Sequence, residues 1–120
     1  MMRVMLKSKI SYAKITSHEL YYKGSITIDE EIMEKADLRE GEKVEVLNLN
    51  NGERLETYAI KGTRQSGVIC LNGPSARLGY TGDTIFILSY GFYADEEVVR
   101  LKARFVELDD KNKITNTYMA

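Results

Sequence analysis

The sequence predicts a mainly β fold, a small barrel with short helices between its strands. Three observations carry that expectation. Valine, isoleucine and tyrosine fall in short runs broken by glycine and asparagine, with a single proline in the chain. One run, Lys43-Val44-Glu45-Val46-Leu47-Asn48-Leu49, alternates as a half-buried strand does, and Glu53 to Ile60 returns after an Asn51-Gly52 turn. The runs amount to about six or seven strands, and closing them on one another removes the exposed edges an open sheet would leave.

In chain order, Arg3 to Lys9 and Ile10 to Thr16 supply the first strand material, and Thr16-Ser17-His18-Glu19-Leu20 reads as a polar connector. Ile26-Thr27-Ile28 has the alternation of a buried strand. Thr27-Ile28-Asp29-Glu30 has capping-box spacing, Ile32, Met33 and Ala36 share one apolar face, and Gly41 closes the segment, which predicts a short helix. Val68 to Leu71 and Thr84 to Ser89 read as buried strands. Between them Pro74 stands just inside a candidate helix start, where a missing N–H costs nothing. Ala94-Asp95-Glu96-Glu97 opens a short turn, Val98 to Leu108 reads as a late strand, and the polar stretch from Asp109 to Ala120 is expected to fray.

At 120 residues and 43% hydrophobic, the chain suits one domain with a real core. Its net charge of −1, from 17 basic and 18 acidic residues, supplies no overall positive field for a phosphate backbone or an anionic membrane. Neither nucleic acid nor membrane is therefore an expected partner. Cys70 is alone in an apolar run, which points to a buried structural thiol in a reducing compartment. The N-terminal stretch is interrupted by Arg3, Lys7 and Lys9 before a signal-length apolar core develops, so the expected location is cytoplasmic. His18 is the only histidine, and no Cys/His cluster has zinc spacing, so the expected chemistry uses neither imidazole nor metal.

The stretch Tyr21-Tyr22-Lys23-Gly24-Ser25-Ile26-Thr27 is the candidate centre of that chemistry. A Gly-Ser step taken alone is an ordinary turn. Taken with Lys9, Tyr22, Arg54-Leu55-Glu56-Thr57-Tyr58-Ala59-Ile60, Asn72-Gly73, Gly82-Asp83 and Asp95-Glu96-Glu97, it resembles the pyruvoyl-dependent aspartate 1-decarboxylases in order and spacing over nearly the whole chain. That resemblance implies a double-psi β-barrel, a homotetramer with active sites between subunits, and decarboxylation of L-aspartate to β-alanine for pantothenate synthesis. It also implies self-cleavage between Gly24 and Ser25 into a β chain, 1–24, and an α chain, 25–120, with Ser25 becoming a covalent pyruvoyl group. A maturation factor assists the cut in some bacteria.

The residue roles follow from the same resemblance. Gly24 presents an unshielded carbonyl to the Ser25 hydroxyl, and Thr57 steadies the oxyanion of the acyl shift. In turnover the substrate amine forms a Schiff base with the pyruvoyl group, and Tyr58 donates a proton to the carbon that loses CO₂. Arg54 offers a planar fork to a substrate carboxylate. Lys9 serves either a carboxylate or the substrate amine, and Tyr22 either lines the site or packs across strands. Asn72, Gly73, Pro74 and Ser75 form an anion-facing cradle whose backbone donors must come from Gly73, Ser75 or Ala76, because Pro74 has no N–H. On an extended strand Arg54 and Tyr58 share one face and Thr57 takes the other, so one subunit does not easily aim all three at one point.

Several positions depart from common family forms, namely Ser11, Leu47, Pro74 and Ser75, and these bear on pocket shape rather than reaction type. Two rival expectations come from the barrel itself. Ala36 to Val46 also resembles the folding segment of DNA-binding swapped-hairpin regulators, and a barrel of this kind can exist without ever maturing.

Overall fold

The computed structural model describes residues 1–20 and 24–120. Tyr22, expected near the site, lies outside the described residues. In chain order the strands are β1 (Met2–Lys14), β2 (Ser17–Glu19), β3 (Ser25–Asp29), β4 (Lys43–Asn48), β5 (Arg54–Gly62), β6 (Ile69–Asn72), β7 (Thr84–Ala94), β8 (Arg104–Leu108) and β9 (Ile114–Met119). Short helices interrupt them: α1 (Glu30–Lys35), a 3₁₀ helix (Gly73–Arg77) and α2 (Asp95–Val98).

Hydrogen-bonded neighbours run in the order β2-β6-β3-β5-β4-β7-β1-β8-β9. β1 pairs antiparallel with β7, while its continuation β2 pairs parallel with β6 at the opposite end of the order. Between them Ile15 donates to the Asp83 carbonyl and Thr16 to the Ile69 carbonyl, so the two strands act as one long stave. The sheet thereby closes on itself through β1–β2, β6, β3, β5, β4 and β7. Parallel pairings of β2 with β6, β3 with β5 and β1 with β8 interrupt the otherwise antiparallel wall. The fold is mainly β, a closed barrel with short helices.

The long first stave can serve two neighbours because it bends. Its register with β7 slips between Leu6 and Ser8 and again between Ile10 and Ala13, and Tyr12 sits at φ 64°. Such bulges increase local twist and re-aim the strand. Ile10, Ile26, Ile28, Val44, Val46, Ile69, Leu71, Ile85 and Ile87, at most 1% exposed, fill the barrel. Each such side chain removed from water contributes about 1.5–3 kcal/mol before entropy is counted.

Five sequence expectations change. The first helix starts at Glu30 with Asp29 as its cap, accepting from the Glu31 N–H, because Thr27 and Ile28 are committed to β3 by pairing with β5 and β6. The β4–β5 connection holds Gly52 at φ 76° as expected, yet it spans five residues, with Gly52 N–H bonded to the Asn48 carbonyl. The late strand begins only at Arg104, since Asp95–Val98 turns as α2 and Arg100 donates back to Glu97. The tail does not fray: β9 pairs antiparallel with β8, and Ala103 and Ala120 exchange both backbone hydrogen bonds. The expected connector at residues 17–19 is likewise a strand, tied to Cys70, Leu71 and Asn72 of β6.

Candidate active site

Gly24 sits at φ 88°, in the left-handed region that residues with side chains avoid. A Cβ there would meet Pro74 Cδ at 3.5 Å, an ordinary contact, so backbone angle rather than crowding is what calls for glycine. Immediately after it the chain enters β3, and Ser25 is 0% exposed. Antiparallel pairing of β3 with β6 sets Ser25 opposite Asn72 and Thr27 opposite Cys70. Side chains two apart on a strand share a face, so these four polar side chains form one cluster.

Asn72 is the hub of that cluster. Its Nδ2 donates to Ser25 Oγ at 2.9 Å and to Thr27 Oγ1 at 2.9 Å, while its Oδ1 accepts from Cys70 Sγ at 3.2 Å. The 3₁₀ helix that follows begins with Gly73 at φ 65° and carries Pro74 in its first turn. Ser75 turns its hydroxyl inward, donating to the Asn72 carbonyl at 2.7 Å and reaching the Ser25 carbonyl at 3.4 Å. Among the described residues no buried side-chain polar atom lacks a partner. The serine is thus held in a satisfied, water-poor network.

On the outside of this network lies a cavity of about 400 Å³ lined by Gly24, Leu55, Glu56, Thr57, Tyr58, Pro74, Ser75 and Leu78. Tyr58 is 41% exposed and opens onto it. Exposure along β5 alternates: Arg54, Glu56 and Tyr58 point outward, while Leu55, Thr57 and Ala59 turn inward. The strand-face conflict read from the sequence is therefore real. Thr57 and Tyr58 nevertheless both line the cavity, together with Gly24 and with Pro74 and Ser75 of the 3₁₀ helix.

Lys9 and Arg54 stand apart from this cavity. Lys9 Nζ lies 4.8 Å from the centre of the Phe86 ring, a cation–π contact. Arg54 shares a second depression of about 270 Å³ with Phe86, Leu47 and Asn48. The Arg54 guanidinium pairs with Glu45 at 3.0 Å, and Glu45 also accepts from the Tyr90 hydroxyl at 3.0 Å. Burial first, then the Glu45 carboxylate, pushes the Tyr90 phenol above its ordinary value. From Arg54 to Tyr58 is four residues of strand, roughly 13 Å at about 3.3 Å per residue. Within one chain, then, Gly24, Ser25, Thr57, Tyr58, Asn72, Gly73, Pro74 and Ser75 gather in one place, and the two cations in another.

Sequence reading missed Thr27, Leu55, Leu78 and the Cys70–Asn72 contact. Thr27 was within reach of it, since it lies two residues from Ser25 on an alternating strand. The pairing of Asn72 with Ser25 depends on strand register, which no local pattern declares.

Fold and site together define a class: a small closed β-barrel with a buried serine next to a left-handed glycine, at the edge of a cavity bearing a hydroxyl and a phenol. The family described as Aspartate decarboxylase matches residues 1–115. The chain belongs to that family. It is 54% identical over 112 residues to the aspartate 1-decarboxylase of Acetivibrio thermocellus, covering 93% of this chain and 89% of that protein. Identity is 56% over 110 residues with the enzyme of the same name from Caldicellulosiruptor bescii, covering 92% and 86%. With that of Thermoanaerobacter pseudethanolicus it is 52% over 116 residues, covering 97% and 99%. The crystal structure of a rationally designed protein, mkDPBB_sym_86, aligns with 66% of this chain and 91% of its own at 15% identity and a TM-score of 0.48.

Proposed function

We propose that this chain is an aspartate 1-decarboxylase that converts L-aspartate to β-alanine and CO₂, for pantothenate synthesis, and that it makes its own pyruvoyl cofactor by cutting itself between Gly24 and Ser25. The observation that carries the reading is the setting of Ser25: fully buried, its Oγ held by Asn72 at 2.9 Å, directly after a glycine at φ 88°. In the cut, Ser25 Oγ bonds to the Gly24 carbonyl carbon, the Gly24–Ser25 C–N bond breaks, and the nitrogen takes the hydroxyl proton. The resulting ester loses the Gly24 carboxylate by β-elimination, and water then releases the nitrogen as ammonia. Thr57, which lines the same cavity as Gly24, steadies the oxyanion at Gly24 in this reading, a role in which one donor contributes about 3–4 kcal/mol.

The residues present fit the group: a serine-derived carbonyl at position 25 would stand in the Asn72 and Ser75 network and face the cavity. When formed, it supplies a ketone carbon that captures the substrate amine and draws electrons from the carbon losing CO₂. Tyr58 holds the proton that this carbon then receives. Arg54 binds a substrate carboxylate, and Lys9 serves either a carboxylate or the substrate amine. Their separation from the Ser25 cavity within one chain supports sites shared between copies, as in a homotetramer. Intact-mass spectrometry tests the reading. The purified protein should give two fragments, 1–24 and 25–120, the larger without a free amine; a single uncut species with a normal serine that still releases β-alanine would overturn it.

A further inference from the structure

We propose that Cys70 is a positioning residue for the self-cleavage, acting through Asn72. This inference rests on the self-cutting read above and assigns a task to a thiol that composition alone marks as inert filling.

The geometry turns on a side-chain amide that has two ends. Asn72 faces two hydroxyls, Ser25 Oγ and Thr27 Oγ1, each at 2.9 Å. A hydroxyl both donates and accepts, so neither of them decides which end of the amide it meets. The third neighbour does. Cys70 Sγ lies 3.2 Å from Asn72 Oδ1, and a thiol is a weak donor but a poor acceptor for an N–H. With the thiol proton on Oδ1, the amide NH₂ is turned toward Ser25. Cys70 is buried, 6% exposed, and sits opposite Thr27 in the β3–β6 register.

The orientation matters for the reaction. An NH₂ aimed at Ser25 Oγ stabilises negative charge as the hydroxyl proton leaves, and it leaves that proton free to go to the Gly24–Ser25 nitrogen. In the opposite orientation Oδ1 would accept the Ser25 proton and confront the forming alkoxide with a second oxygen. Serine at position 70 would keep an O–H donor on Oδ1. Valine would fill a similar volume and supply none.

Self-cleavage is timed by intact mass from freshly made precursor of the wild type and of Cys70→Val, Cys70→Ser, Asn72→Ala and the Cys70→Val/Asn72→Ala pair, with thermal melts confirming folding. Loss of one hydrogen bond predicts that Cys70→Val slows the cut by roughly three- to tenfold. Cys70→Ser should restore the rate, and Cys70→Val should have no further effect once Asn72 is alanine. Valine cleaving at the wild-type rate, serine as slow as valine, or an undiminished valine effect in the Asn72→Ala background would each overturn the proposal. If Asn72→Ala cuts too slowly to time, the valine–serine comparison decides alone. A wild type that never cuts defeats the underlying reading instead, an outcome plainly different from one in which wild type and valine variant cut alike.

Discussion

Replacing Ser25 with alanine removes one oxygen from the most buried point of the site, and the structure sets what that costs. Ser25 is 0% exposed, and its hydroxyl takes one of two hydrogen bonds donated by Asn72 Nδ2, the other going to Thr27. Without it one N–H is left buried and unpaired, at about 1–3 kcal/mol. The contact from the Ser75 hydroxyl to the Ser25 carbonyl survives, and the methyl group of alanine leaves almost no void. Against a usual total of about 5–15 kcal/mol the variant should fold. Its melting point should fall by roughly 3–10 °C relative to uncut wild type. Intact mass should show one full-length species and no β-alanine should form. Two fragments, or any β-alanine, from Ser25→Ala would refute the chemistry, and a variant that fails to fold would refute the energetics.

Tyr58→Phe should leave self-cleavage intact while lowering kcat by about 10²- to 10⁴-fold, the usual contribution of a positioned proton donor; normal turnover would remove Tyr58 from that role. Arg54→Lys keeps the charge but loses the planar fork, so KM for aspartate should rise about tenfold or more with the cut unaffected; steady-state kinetics on the matured protein checks this. The Asp83 carboxyl is held below the ordinary aspartate range, first by the Asn48 side-chain amide and then by the Tyr80 N–H. Because the folded-state value is depressed, its stabilisation is whole above the ordinary aspartate value of about 3.9 and is lost as pH falls through the lower, folded one. Urea midpoints of wild type and Asp83→Asn should therefore differ at neutral pH and converge in acid.

What could be read from the chain alone follows from what each element buries. The β4–β5 hairpin was legible because Val44 and Val46 are 1% exposed and alternate with outward residues. β9 was hidden because Thr115, Asn116, Thr117, Tyr118 and Met119 are all exposed, so backbone pairing with β8 holds it and no apolar period reveals it. The helix start was misplaced because a capping spacing at Thr27 overlapped a strand whose partners come from residues far along the chain. The Gly24-Ser25 step and the Arg54 to Tyr58 run were visible through the family likeness. The grouping of Ser25, Thr27, Cys70 and Asn72 was not, since it exists only once two distant strands choose a register.

The first stave of the barrel has a consequence for the matured molecule. Residues 2–19 are clasped by β7 and β8 along one half and by β6 along the other. Severing the chain at 24 would therefore free no part: the short piece would remain keyed into the wall of the long one, as a hoop holds a cask. Such a pair should travel together through native purification and separate only under denaturant. Once parted, the two pieces would have to find each other in solution, so the ability to refold alone would be surrendered at the moment the protein becomes active.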